Sequence, residues 1–467
     1  MQRRAAGAAL FVAAIFCQTR AHAQSPPSAP ETIAVGDWQL SPSLQLRTRG
    51  EYRRDPMDMG GRDASGVSER VRNAYLIFER ARVGLGAEHG ALRAQITLQD
   101  SRQWGPFNAS GFFAPHEAFA EVHTQSARPA FLRIGRQVVT WGEGRLIGEA
   151  DWSPVSRSLD AIRGHVALGP FDLEALAAVL ESSQPASPSF GPSNGPIFTG
   201  AQLYGLNLAW PVDPLFKIEV TSLARVARSG IGESRFATAA RSGETYVQSI
   251  RASGEGRGWK YGVDGAYEFG RVSAAILPGG LTRASYAAAA HVSRTFDTIG
   301  FSPTVRIGGS YASGQGAGGS AKYTQFDPIL PDVHTHYGLM DVLSWSNIIE
   351  GNARVTVVPF TDTTLGFQYR YARLADASGE WLNSYLALVG RAPASSDGTL
   401  GHEFDVMATW RPWAPFDIAA GYAAFLMGDG ARTIMVVEGR GAPTGDGGFS
   451  PAAVSHFGYL QATLAVP

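Results

Sequence analysis

Cysteine is almost absent from this 467-residue chain, the one copy being Cys17 near the start. Disulfides, iron–sulfur clusters and cysteine nucleophiles are therefore excluded from everything downstream of it. Lysine is nearly as scarce, with only Lys217, Lys260 and Lys322. Charge of one sign is missing too: with Arg3, Arg4 and Arg20 assigned to a leader segment, 37 of the 40 basic residues remain against 41 acidic ones, a formal charge of -4. No nucleic-acid partner is implied by that balance. Beyond the leader, no apolar run approaches the ~20 residues that a helix needs to cross a bilayer. Catalytic spacings are thin. His402-Glu403 lacks the second histidine of a zinc-protease helix, and Gly314–Gly319 lacks the Lys-Ser/Thr of a phosphate loop. Asp332, His334 and His336 alternate in one connection, but two histidines and one acid leave a metal site open. The expectation is a non-enzyme with no catalytic residue, no metal and no cofactor.

What is present begins with residues 1–23: Arg3 and Arg4, the apolar run Ala5–Phe16, then Ala21-His22-Ala23 before Gln24. This is the pattern of a secretory signal peptide with its cleavage site. Residues 24–37, rich in Ser and Pro, are expected to form a flexible lead, and 38–467 a single domain.

Through that domain a period of two recurs, apolar on one face and polar on the other. Leu44, Leu46, Thr48, Gly50 and Tyr52 alternate with Gln45, Arg47, Arg49, Glu51 and Arg53. Leu92, Ala94, Ile96 and Leu98 alternate with Arg93, Gln95, Thr97 and Gln99, and Phe404, Val406 and Ala408 with Glu403, Asp405 and Thr409. Alternation alone fits a sandwich as well as a barrel. Connection lengths separate the two. Short turns (Glu88-His89-Gly90, Gly169-Pro170, Pro211–Pro214, Pro359–Thr363, Arg411–Pro415) alternate with long polar stretches (Arg102–His116, Glu181–Gln202, Ala312–Asp341, Leu374–Gly401, Leu426–Ser455). That is the layout of an outer-membrane barrel. The fold expected is all-β, a single transmembrane β-barrel of about 18 antiparallel strands with short periplasmic turns and long extracellular loops. About 440 mature residues at ~24 per strand and connection give the same count, and an interior wide enough to be aqueous. The predicted inner wall holds Arg47, Arg49, Arg53, Arg80, Arg82, Arg93, Lys217, Arg306 and Arg370 with Glu51, Glu117, Glu121, Glu219, Asp264, Glu268, Glu403 and Asp405. A basic stripe is implied, not a uniformly basic tube.

The stripe concentrates in Phe131–Arg163, which carries Arg133, Arg136, Arg145, Arg157 and Arg163 and no lysine. Arginine's permanently charged fork matches a carboxylate in two hydrogen bonds, so the segment reads as a cationic constriction suited to a uronate. Glu121, Asp151 and Asp160 are its expected charge partners, which pin a loop while leaving donors for a ligand. Strict alternation turns Arg133 inward and Arg136 outward; a bulge at Gly135 is expected to return Arg136 to the lumen.

The same segment resembles the alginate export family of outer-membrane barrels. The likeness rests on Arg133, Gly135, Arg136 and Gln137; on Trp141, Gly142, Gly144 and Arg145; and on Asp151, Trp152, Arg157, Ser158 and Asp160. Phe326-Asp327-Pro328, Tyr337-Gly338-Leu339-Met340-Asp341 and Gly401-His402-Glu403-Phe404-Asp405 extend it along the chain. The resemblance implies an eighteen-stranded barrel that exports or conducts an acidic polysaccharide. Family members also carry a long periplasmic loop between the sixteenth and seventeenth strands, proposed as a gate, which Arg411–Pro415 is too short to supply. An external gate at Arg102–His116, bearing Trp104, Phe107, Phe112 and Phe113, is the candidate instead, although the same aromatics fit an anchor at the membrane interface equally well.

The functional expectation is a passive channel in the outer membrane of a Gram-negative bacterium, after signal cleavage. An anionic, alginate-like polymer would pass along Arg47, Arg49, Arg82, Arg93, Arg133, Arg136, Arg145, Arg157 and Arg163. Outer-membrane lipid and periplasmic export proteins are the other expected partners. The alternative is a general or anion-selective porin for small solutes; a barrel-form lipase would need a lipid-accessible Ser–His pair, and a structural barrel a plugged lumen.

Overall fold

The computed structural model describes residues 32–59, 61–62, 68–69, 71–105, 110–180, 201–213, 215–227, 241–274, 277–316, 322–393, 396–440, 442–444 and 448–466. The predicted signal peptide lies outside the described residues. Ile33–Val35 pairs antiparallel with Trp38–Leu40, so strand structure begins inside the stretch expected to be a flexible lead.

Eighteen long strands close into one antiparallel barrel. In chain order they are β1 (Trp38–Arg54), β2 (Asn73–His89), β3 (Leu92–Trp104), β4 (Ser110–His123), β5 (Phe131–Gln137) and β6 (Leu159–Leu168). Next come β7 (Phe171–Val179), β8 (Ala201–Asp213), β9 (Phe216–Ala227), β10 (Arg241–Gly256), β11 (Trp259–Ala274) and β12 (Leu277–Thr295). The circuit finishes with β13 (Thr304–Ala312), β14 (Ile348–Phe360), β15 (Thr363–Arg373), β16 (Thr399–Trp413), β17 (Phe416–Met427) and β18 (Val454–Val466). Each strand pairs with its sequence neighbours, and β18 closes on β1 from Leu44↔Val466 to Arg54↔His456. Closure leaves no unpaired sheet edge in the lipid, where an unmet backbone group is costly.

The two-residue period sorts the side chains. Leu46 is 44% exposed whereas its neighbours Arg47 and Arg49 are 7% and 2% exposed. The same split recurs at Ile96, Leu132, Ile134, Leu206, Val263, Ile307 and Val406, all exposed on the outer surface as a lipid-facing belt requires. Trp210, Phe216, Trp259, Phe360, Trp410 and Trp413 are exposed beside the short turns, the place of one interfacial aromatic girdle.

The interior differs from the aqueous lumen expected from strand number. Two outer connections fold back into it: 138–158, between β5 and β6, and 322–347 of the connection between β13 and β14, which includes the one-turn helix α1 (His334–Tyr337). They meet in a parallel bridge, Ile147↔Leu330, flanked by Gly148 N–H to the Leu330 carbonyl and Leu330 N–H to the Leu146 carbonyl, both 2.9 Å. Trp141, Ile147, Phe326, Ile329, Tyr337, Leu343 and Trp345 pack there as a hydrophobic core, joined by Ile434 and Met435 of helix α2 (Asp429–Val437).

Candidate functional site

The site is assembled where 138–158 lies against the inner faces of β1 and β2. Because alternate residues of these paired strands point inward, Arg47, Arg49, Arg80 and Arg82 form a ladder of cations. Asp151 meets three of its rungs: Arg80 at 2.7 Å, and Arg47 and Arg82 each at 3.3 Å. Partial burial pushes the Asp151 carboxyl up, but the Arg80 hydrogen bond and the Arg80, Arg47 and Arg82 charges outweigh it and hold the group below its ordinary value. Arg49 donates to the Trp152 carbonyl at 2.8 Å and lies 3.6 Å over the Trp152 ring, which stacks on His334 at 3.9 Å.

The remaining predicted arginines are largely committed to internal partners. Arg133 pairs with Glu121 at 2.6 Å and lies over the Phe119 ring. Arg163 pairs with Glu174 at 2.7 Å, and the Trp141 indole donates to the same carboxylate. Arg145 reaches Asp264 of β11 at 3.7 Å and the Tyr337 hydroxyl at 3.3 Å, so it ties both inserted segments to the far wall. Arg157 donates to the carbonyls of Gly148 and Leu330, each at 2.7 Å, and of Pro331 at 3.1 Å, clamping the segments together. Glu143 completes the girdle with Arg251 at 2.8 Å and His291 at 3.4 Å; burial raises its carboxyl, but the Arg251 charge and hydrogen bond hold it below the ordinary range.

Two expectations are corrected. The β5–β6 register runs without a slip from Phe131↔His165 to Gln137↔Leu159. No bulge forms at Gly135, and Arg136 stays on the outward face, where it pairs with Asp160 at 2.9 Å. Arg93 lies opposite Glu121 on the inward face, exposed near the short-turn end of β3. Among its described residues Arg102–His116 forms no inserted segment: β3 and β4 extend through most of it, Trp104 shares the outward face of Ile77, Phe113 is 69% exposed, and Phe112, 41% exposed, pairs with the inward Ser101. Phe107 lies outside the described residues. The metal-like trio also separates. His334 engages Asp341 at 2.9 Å, and His336 is buried with Nε2 2.8 Å from the Glu143 carbonyl; burial drives its imidazole well below the ordinary value. Among the described residues, no cluster of three or more His, Cys, Asp or Glu fits a metal.

The quoted motifs anchor the second inserted segment. Asp327 pairs with Arg225 of β9 at 2.7 Å, and its N–H donates to Glu268 of β11 at 3.0 Å. The Met340 N–H donates to Glu403 of β16 at 3.1 Å. Gly338, at φ +92°, passes so close that a Cβ would sit 2.4 Å from a Glu403 oxygen, so only glycine fits.

Sequence reasoning missed the pairing of Arg306 with Arg354. These residues face each other in register on β13 and β14. Both are half-buried, and among the described residues neither has a carboxylate within ion-pair distance; Arg354 reaches only the Met407 sulfur at 3.9 Å. The signal was available in the alternation of Asn352, Arg354 and Thr356, which placed Arg354 inward. Gly191-Pro192-Ser193-Asn194-Gly195 does match the G-x-S-x-G spacing of a nucleophile elbow, but it lies outside the described residues.

A closed barrel with a lipid-facing belt, an aromatic girdle and charged groups inside defines an outer-membrane β-barrel channel. The chain belongs to the alginate export family, whose sequence profile matches residues 38–183 and 222–437. No curated protein matches it. Similar solved structures include three from Pseudomonas aeruginosa. OccK5 (OpdH) has a TM-score of 0.54 at 9% identity, covering 91% of this chain and 98% of that one. OprD has 0.51 at 9%, covering 91% and 93%. OpdK with vanillate has 0.53 at 8%, covering 91% and 98%. At such identities the likeness is one of fold.

Proposed function

We propose that this channel carries an anionic, uronate-containing polysaccharide of the alginate kind, and that Arg306 and Arg354 supply the free positive charge it passes. The carrying observation is their pairing without carboxylates. Like charges directly opposite each other across two strands repel; Glu143 offsets the Arg306 charge only from beyond ion-pair distance, so an anion between the two would relieve the remaining repulsion. The predicted constriction arginines are less available. Arg47, Arg82, Arg133 and Arg163 hold carboxylates, and Arg157 holds carbonyls, so their role in this reading is to fix the inserted segments. Arg-only chemistry suits the task because guanidinium is weakly hydrated and can release one carboxylate to take the next.

A second reading, a porin for small anions, is favoured by the packed interior. The cavities around the inserted segments measure about 280 and 30 Å³, sizes for small molecules and not for a polymer in a fixed bore. OpdK, one of the fold relatives, was solved with vanillate, a small carboxylate.

Both readings predict anion preference, and the polymer separates them. Purified protein in a planar bilayer under a salt gradient is expected to be anion-selective and to be blocked by alginate oligomers. At ~0.5–1 kcal/mol per exposed ion pair, the double variant Arg306→Gln/Arg354→Gln is expected to weaken that block roughly 5- to 30-fold and move the reversal potential toward zero. An unchanged reversal potential removes Arg306 and Arg354 from the pathway. Anion-selective current that no oligomer blocks favours the small-solute porin.

A further inference from the structure

Most methionines of the described residues are hidden: Met57, Met340, Met427 and Met435 are at most 5% exposed. Met59, on the β1–β2 connection, and Met407 of β16 are half-buried. Alternation turns Met407 inward, two positions from the buried Asp405 and two from the exposed Thr409. Its sulfur lies 3.9 Å from Arg354 Nη2, and the guanidinium crosses β15 to reach it. Gly366 leaves that crossing open: a Cβ there would lie 3.3 Å from the Met407 methyl and 3.8 Å from Arg354 Nη2. The nearby charges are engaged elsewhere. Asp405 accepts from Gln368 Nε2 at 3.1 Å, and Glu350 holds Arg370 at 2.9 Å. Among the described residues, no oxygen takes a hydrogen bond from the Arg354 side chain, and the thioether is the acceptor it meets.

A thioether is a weak, uncharged acceptor, so this contact leaves the guanidinium available to an anion. Oxidation changes that. When a peroxide meets the sulfur, a sulfur lone pair attacks one oxygen and the O–O bond breaks. The proton of the transferred oxygen goes to the departing hydroxide, which leaves as water. Sulfur loses two electrons, peroxide gains them, and the methionine becomes its sulfoxide. With the sulfur 3.9 Å from Arg354 Nη2, an oxygen bonded to it and turned toward the guanidinium comes to the ~2.9 Å of a good N–H···O bond. A donor held there is withdrawn from the two-pronged grip that arginine offers a carboxylate.

We infer that Met407 is an oxidation site on the conduction path, and that its sulfoxide captures Arg354 and weakens the channel's hold on anions. The inference rests on the reading above for the part Arg354 plays, and it adds a chemical setting for that part. The oxidant has few competing targets. No cysteine follows Cys17, and four of the described methionines are shielded from solvent, so a small peroxide that enters with water meets Met407 and Met59 first.

The test treats full-length, folded protein with hydrogen peroxide, locates added oxygen by peptide mass spectrometry, and records reversal potential under a salt gradient and block by an alginate hexamer in planar bilayers. Wild type is expected to gain one oxygen at Met407, to move its reversal potential toward zero, and to lose several-fold in hexamer residence time. Met407→Leu removes the sulfur at similar volume, and its reversal potential, whatever its starting value, should not respond to peroxide. Met407→Gln places an amide oxygen near the same guanidinium and should reproduce the shift without peroxide. Each variant is checked for a heat-modifiable barrel. Peroxide that oxidises Met59 and leaves Met407 unmodified overturns the site. Oxidised Met407 with an unchanged reversal potential, while Arg354→Gln still shifts it, overturns the capture and leaves the pathway reading standing. A peroxide response that survives in Arg354→Gln also overturns the capture. A response lost in both Met407→Leu and Arg354→Gln, with no hexamer block in any protein, supports the capture and sinks the polymer reading.

Discussion

At the scale of single residues, Asp151 decides how firmly the constriction is held. One carboxylate answers three arginines on two strands, so its loss leaves Arg47, Arg80 and Arg82 facing one another with only Glu149, 3.9 Å from Arg82, to offset them. Its pKa is lowered in the folded protein. A depressed carboxylate contributes stability above its unfolded pKa of ~3.9 and loses it as pH falls through the folded value. Acid should therefore loosen 138–158 only below about pH 4, and the range from pH 5 to 8 should be flat for this group. Asp151→Asn is expected to show increased open-channel noise already at neutral pH and to lack the acid-induced increase of the wild type. Single-channel recordings at neutral and acidic pH check this. Equal noise in the two proteins at every pH removes Asp151 as the anchor.

At the scale of elements, β5 shows how a single glycine sets a strand against its neighbour. Gly135 sits at φ +124°, and a Cβ there would lie 2.3 Å from the Ala118 carbonyl oxygen and 2.9 Å from Phe119 Cα on β4. Both obstacles are backbone, so nothing can swing aside. Gly135→Ala is expected to cost at least ~1–3 kcal/mol and to lower the folded fraction in a heat-modifiability assay; a variant that folds like wild type shows that β4 yields. The strands themselves were legible in the sequence because a two-residue period records two environments, lipid and interior, directly on the chain. That is why Arg47, Arg49 and Arg133 were placed inward. The absence of a bulge at Gly135 was not legible, since an outward Arg136 is satisfied by Asp160 on β6, a pairing that only the register reveals. The inserted segments were illegible for a related reason. Phe326, Ile329, Leu343 and Trp345 follow no period, so a stretch that forms the core looked like a polar connection. Its anchors lie far away in sequence: Arg225 binds Asp327 across 102 positions, and Arg47 binds Asp151 across 104.

At the scale of the whole molecule, a wide barrel and a filled interior make opposite demands. Eighteen strands enclose space for an aqueous path, yet 138–158 and 322–347 occupy it as one packed unit joined at Ile147↔Leu330. A small anion can slip along the edges of such a unit, whereas a polymer requires the two segments to part. That difference can be tested by sewing them together. Bridged residues on neighbouring strands sit ~4.8 Å apart, within the span a disulfide needs, and the sequence contains no cysteine beyond Cys17 to interfere. The double variant Ile147→Cys/Leu330→Cys, oxidised, is expected to keep most of its chloride conductance while alginate oligomers lose passage across vesicle membranes, and reduction should restore it. Equal polymer flux in the oxidised and reduced forms means that the chain threads past an undivided plug, and the inserted segments are then a fixed filter, not a gate.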